Sequence, residues 1–146
     1  MRDLQWATLG GSRREWSACC AIEWRLGRVG AVNESVELLD YAERALDGSF
    51  RLGPRAARIA ALLARLAFEG WLDRQSETWR DPGSGFPTTA SELVVLETLQ
   101  GAEIGERAKK VWLALSRAVH HHAYELQPSA AEVRYLVGEV RELMVS

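Results

Sequence analysis

Cysteine is nearly absent from this chain of 146 residues, with Cys19 and Cys20 as its only two. Adjacent cysteines rarely bridge each other because the geometry is strained, so a disulfide scaffold and a cysteine-based zinc site are both excluded. The pair reads as reduced thiols in a reducing compartment. Lysine is equally scarce: Lys109 and Lys110 are the only lysines among 18 basic residues, and the others are arginines. The planar, permanently charged fork of arginine suits phosphate and carboxylate groups. There is also no excess of either charge, since 18 bases against 20 acids leave a net −2. A nucleic-acid partner would therefore be held by a local patch and not by a global field.

Long apolar runs are missing too. No segment approaches the roughly 20 apolar residues of a membrane span. The start, Met1-Arg-Asp-Leu-Gln-Trp6, lacks the continuous apolar stretch of a secretory signal. The expected location is the cytoplasm, with no membrane partner. Hydrophobic residues make up 47% of the chain and charged residues 26%, proportions ordinary for a globular domain of this length.

What is present is helical punctuation. Ser12-Arg-Arg-Glu15, Thr89-Ala-Ser-Glu92 and Ser129-Ala-Ala-Glu132 all have the capping-box form, in which a hydroxyl and an acid three residues later satisfy free amides at a helix start. Gly53-Pro54 offers another start and Asn33 a further cap. Val36, Leu39, Glu43 and Leu46 recur at helical spacing. So do Ile59, Leu63, Leu66 and Gly70, with Leu62 and Ala67 widening that stripe. Strand-type alternation is absent. The expectation is an all-α bundle of about five to six helices, near 12–27, 33–47, 54–79, 89–100, 103–125 and 129–144. Residues 81–87, Asp-Pro-Gly-Ser-Gly-Phe-Pro, form the one clear loop. Residues 1–32 read as an N-terminal helical extension and 33–146 as the main domain, together one compact unit.

All three histidines fall in one run, Ser116-Arg-Ala-Val-His-His-His-Ala-Tyr-Glu-Leu126. Histidine exchanges protons near neutrality, arginine stabilises a phosphoryl group and tyrosine supplies a hydroxyl. These are the parts needed for metal-free RNA cleavage: a base to activate the ribose hydroxyl and a cation to steady the pentacoordinate phosphate. On an ideal helix Arg117, His120, His121 and Tyr124 lie within about 100° of one another. Trp112, Leu115, Val119, Ala123 and Leu126 form the opposite, core-facing stripe, with His122 near its edge.

Arg117, four intervening residues, His122, one residue and Tyr124 reproduce an Arg-x4-His-x-Tyr pattern. In this the chain resembles HEPN toxins (higher eukaryotes and prokaryotes nucleotide-binding), of the kind paired with a minimal nucleotidyltransferase antitoxin. Pro128-Ser129 opens a last amphipathic helix, and residues 56–72 look like the family's earlier long helix; the resemblance covers about residues 33–146. It implies a HEPN-like bundle and a homodimer in which two motif helices build one composite cleft. It also implies an endoribonuclease of a toxin–antitoxin or phage-defence system that uses no metal and no cofactor. Arg117 would then bind phosphate, His122 would act as base or acid, and Tyr124 would be the site modified with AMP by the antitoxin. Family spacing nominates His122, whereas ideal helical geometry favours His120 or His121 as the partner of Arg117; His121 stands second.

Other readings stand beside this one. The histidine run also fits a polar helix face or a non-catalytic HEPN-like module that binds a nucleotide or a protein. A helical metal site centred on the run is the weaker third reading: paired helical ligands come at i and i+3 or i+4, as His121 and Glu125 do, but the histidines themselves are consecutive and no cysteine completes a site, so no metal is expected. Arg55, Arg58 and Arg65 fall within roughly 80° on one helix, either as a solvated face or as an RNA-tracking wall. Among the six tryptophans, Trp71 and Trp112 are expected in the core and Trp6, Trp16 and Trp24 at an interface.

Overall fold

The computed structural model describes residues 31–81, 83, 85, 87–120 and 127–146. The helix expected over 12–27, its Ser12–Glu15 box and Trp6, Trp16 and Trp24 lie outside the described residues. The chain divides into two units, Met1–Ala31 and Val32–Ser146, and the second forms the bundle. Among the described residues the fold is all-α, without a strand. It runs through α1 (Ala31–Leu46), a 3₁₀ turn (Gly53–Arg55), α2 (Ala56–Ser76), α3 (Thr89–Gln100), α4 (Ala102–Val119) and α5 (Ala130–Val145). Among the described residues no helix is long and apolar enough to cross a membrane.

Local chemistry sets several boundaries. Gly48, at φ +79°, takes the left-handed conformation that closes α1, and the Ser49 amide donates to the Arg44 carbonyl at 3.0 Å, a Schellman-type ending. Pro54 stands at the start of the 3₁₀ turn that leads into α2. Ser129 caps α5, its hydroxyl accepting from the Glu132 amide at 3.1 Å. Two expected caps differ. Helix α1 begins at Ala31, so Asn33 lies inside its first turn. Helix α3 is capped by Thr88, one residue before the expected Thr89; the Thr88 hydroxyl accepts from the Ser91 amide, and Ser91 Oγ donates to the Thr88 carbonyl at 2.7 Å. Serine thus takes the third helical position, and Glu92 is released to turn inward.

Glu92 is 6% exposed. Its carboxylate accepts from Arg80 Nη2 at 3.1 Å, and the same nitrogen reaches Asp73 Oδ1 at 2.5 Å and Ser76 Oγ at 2.7 Å. Burial pushes the Glu92 carboxyl above the usual carboxylate range, Asp73 adding to the effect and Ser76 and Arg80 opposing it. Burial also works against the Arg80 charge, but Asp73 and Glu92 outweigh it and move its pKa up. This cluster ties the end of α2 to the start of α3.

Helix α2 is central, packing against α3, α4 and α5; Arg74 also links it to Ser35 of α1 at 3.0 Å. Its buried arc is largely alanine: Ala60, Ala61, Ala64 and Ala67, with Phe68, Trp71 and Leu72. Leu62 and Leu66, expected to face inward, are instead 43% and 46% exposed. A helix flanked by several neighbours buries a wide arc, and small side chains there let the axes approach closely. The bulky leucines are left on the outer face. In α1 the same inversion places Ala42 and Ala45 in the core beside Leu39, whereas Val36 is 39% exposed.

Arginines from later helices lock the bundle. Arg141 of α5 reaches Asp40 at 2.9 Å and Glu43 at 3.0 Å, and Arg134 reaches Asp47 at 2.7 Å, all on or just after α1. Arg107 of α4 pairs with Glu139 at 2.8 Å and with Glu142, both on α5. Much of the arginine enrichment is therefore structural.

Candidate functional site

Helix α4 positions the sequence-nominated site. Its core edge, Ala108, Val111, Leu115 and Ala118, is buried, which turns Arg117 outward in the last turn. Arg117 is exposed and, among the described residues, has no polar partner. Residues 121–125, over which the helix was expected to run on, lie outside the described residues. Helix α4 stops at Val119, and His120 leaves helical geometry at φ −86°, ψ 67°, its amide donating to the Ser116 carbonyl. Of the face drawn for Arg117, His120, His121 and Tyr124 on one ideal helix, Arg117 lies on α4 and His120 is its C-cap. His121, His122 and Tyr124 lie outside the described residues.

Two arginines of α2 converge on the end of α4. Arg58 Nη2 donates to the Val119 carbonyl at 3.2 Å, satisfying one of the acceptors a helix leaves free at its C-terminus. Arg65 Nη1 lies 2.9 Å from His120 Nε2, and Arg65 Nε donates to Glu69 Oε1 at 2.8 Å. Because guanidinium has no acceptor, Nε2 must be the acceptor, which leaves the ring proton of His120 on Nδ1. Arg55 belongs to the 3₁₀ turn, so the expected three-arginine stripe reduces to Arg58 and Arg65 on α2 itself. Of the groups nominated from sequence, the fold brings Arg58, Arg65 and the histidine run's first residue together, with Arg117 less than a turn from the helix end.

Sequence reasoning missed the Arg65–His120 contact, which joins residues 55 apart along the chain; no local pattern encodes it. It also missed Trp112 Nε1 and Ser116 Oγ, which are buried without a hydrogen-bond partner among the described residues. These occupy the edge of α4 one and two turns before His120.

A groove of about 440 Å³ separates α4 from α5, lined by Lys110, Ala114, Tyr135 and Leu136 around Arg107 and Glu139. Its charges are used internally. The hydrogen bond from Arg107 holds the Glu139 carboxyl below the usual range, and the Glu139 charge pushes the exposed Tyr135 phenol up. Among the described residues no group of three or more His, Cys, Asp or Glu side chains is placed to hold one metal ion. Compared with family models, curated proteins and solved structures, the chain matches none of them.

Proposed function

We propose that this protein is a metal-independent endoribonuclease of a toxin–antitoxin or phage-defence system, cutting RNA in a cleft that two copies build around Arg117 and the histidine run. The observation that carries the reading is the convergence of Arg58 and Arg65 on the end of α4, whose last turn carries Arg117, exposed and unpaired among the described residues. A chain of net charge −2 thereby gathers local positive charge where its histidines begin, as phosphate binding requires.

In the reaction a neutral histidine, His122 first and His121 second, removes the ribose 2′-hydroxyl proton. The 2′-oxygen attacks the adjacent phosphorus, Arg117 stabilises the equatorial oxygens, and the 5′-oxygen departs with a proton returned by an acid. The products are a 2′,3′-cyclic phosphate end and a 5′-hydroxyl end. Tyr124 is the position at which a nucleotidyltransferase antitoxin would attach AMP and block the cleft.

The test is incubation of purified protein with total RNA in EDTA, alongside Arg117→Ala and His122→Ala. Cleavage by wild type alone supports the reading; intact RNA in all three overturns it. A second reading, a non-catalytic HEPN-like module binding a nucleotide or protein, is favoured by Ala118. It is 8% exposed and apolar, where many active members of the family have a polar residue after the arginine. Nucleotide binding that survives His122→Ala, with no cleavage by wild type, would select it.

A further inference from the structure

Leu62 and Leu66 are exposed one turn apart on the outer face of α2. On a helix at about 100° per residue, Arg58, Leu62, Leu66, Glu69 and Asp73 fall within roughly 80°, turned away from the alanine-lined arc, and Arg55 stands just ahead of them in the 3₁₀ turn. Charge along this stripe is ordered. Its N-terminal half carries Arg55 and Arg58, both exposed, its middle carries the two leucines, and its C-terminal half carries Glu69 and Asp73, both half-buried. Each end has unused capacity. Arg55 has no polar partner among the described residues, and Arg58 spends one Nη2 donor on Val119. Glu69 and Asp73 each commit one oxygen within the chain, to Arg65 and Arg80, and the second oxygen of each has no partner among the described residues.

We infer that two copies of the chain pair through this face, α2 against α2 in antiparallel register about a two-fold axis beside Ala64. A two-fold interface needs a surface that complements itself: where residue i meets residue j of the partner, j also meets i. The pairs Leu62 with Leu66, Arg58 with Glu69 and Arg55 with Asp73 all have their midpoint at or next to residue 64, so one axis brings each of them across the seam twice. The leucines close an apolar centre and the ion pairs form its rim. No other occupant matches this order. A partner of one charge, RNA included, would meet repulsion at one end of the stripe, and two copies in parallel would set like charges together. Arg117, on α4, takes no part in these pairs and stays available to phosphate. The inference rests on the two-copy part of the reading above, for which it names the contact face, and on nothing in its chemistry.

The experiment is sedimentation equilibrium of the full chain from roughly 1 μM to 1 mM, the range in which small interfaces associate, with circular dichroism to verify that each variant is folded. Wild type is expected to show a monomer–dimer equilibrium. Arg58→Glu and Glu69→Arg each set like charges against each other on both sides of the axis and should weaken self-association by roughly tenfold. Mixed in equal amounts, the two variants should form a heterodimer of near wild-type affinity, because every exchanged pair is then opposite in sign. Leu62→Glu puts a carboxylate at the apolar centre and should leave the chain monomeric over this range. Variants that each weaken association but fail to restore it on mixing overturn the register. A dimer that all three variants leave unchanged overturns the α2 face while leaving a two-copy cleft intact. A wild type that stays monomeric at every concentration overturns both. Dimerisation without cleavage of RNA leaves the pairing standing and sinks only the nuclease reading.

Discussion

Replacing Gly105 by alanine adds one methyl group where α4 packs tightly against Glu97 of α3. Built on the backbone as it stands, the added carbon falls 2.3 Å from Glu97 Cβ and 2.6 Å from Glu97 Cα. Carbon atoms in contact settle about 3.5–4.0 Å apart, so the helices must separate by roughly an ångström. One obstacle is backbone, and no rotamer change moves it. Overpacking of this kind costs typically about 1–3 kcal/mol, and the clash places Gly105→Ala at the upper end. Alanine's better helix propensity returns roughly 1 kcal/mol, leaving a net loss of about 1–2 kcal/mol. Gly138 in α5 is the control, because a Cβ there meets nothing within 4 Å. Gly138→Ala keeps the full propensity gain of roughly 0.5–1 kcal/mol. At about 3 °C per kcal/mol for a domain of this size, Gly105→Ala should melt several degrees below wild type and Gly138→Ala a few degrees above. Thermal melts and urea titrations read both. A Gly105→Ala protein as stable as wild type would refute the close approach of α3 and α4, and with it the register in which α4 carries Arg117.

Three further outcomes follow from burial. Ala64→Leu should destabilise by about 1–3 kcal/mol through overpacking, whereas Leu66→Ala should stay within roughly 0.5 kcal/mol of wild type; urea midpoints that reverse this order would contradict the alanine-lined face of α2. Ser116→Ala should stabilise by about 1 kcal/mol, since it removes a buried hydroxyl without a partner among the described residues and improves helix propensity, and a lower melting temperature would reveal a bond to that hydroxyl. Because the folded-state pKa of Glu92 is raised, its neutral form favours folding at low pH, and that contribution is lost as pH rises through the raised value. Glu92→Gln never ionises, so its stability relative to wild type should increase from about pH 4 to pH 7; a flat or falling difference in chemical denaturation would argue against the burial effect.

The helical character was legible because capping and turn chemistry are local. Ser129 caps the helix it was expected to cap, and the proline-glycine segment after residue 80 separates α2 from α3. The cap of α3 falls one residue from its expected place because two threonines offer the same hydroxyl, and Glu92 fits a capping box until burial claims it for Arg80. The candidate site was legible only in part. Arg117, Arg58 and Arg65 could be nominated by residue type, but the end of α4 at Val119 could not be placed from a run of histidines that continues the helical pattern.

The residues by themselves determined where most helices begin and end, because an amide at a helix start is satisfied by a side chain only a few positions away. They determined likewise that any excess of one charge had to be local, since 18 bases and 20 acids nearly cancel. Which side of each helix is buried was decided by the neighbours. Alanine rather than leucine lines α2 because the space between packed helices, and not the hydrophobicity of one stripe, selects the side chain that fits. The meeting of Arg65 with His120 was decided at the same level: a hydrogen bond across the seam between α2 and α4 exists only once both helices are held in register by the core beneath them.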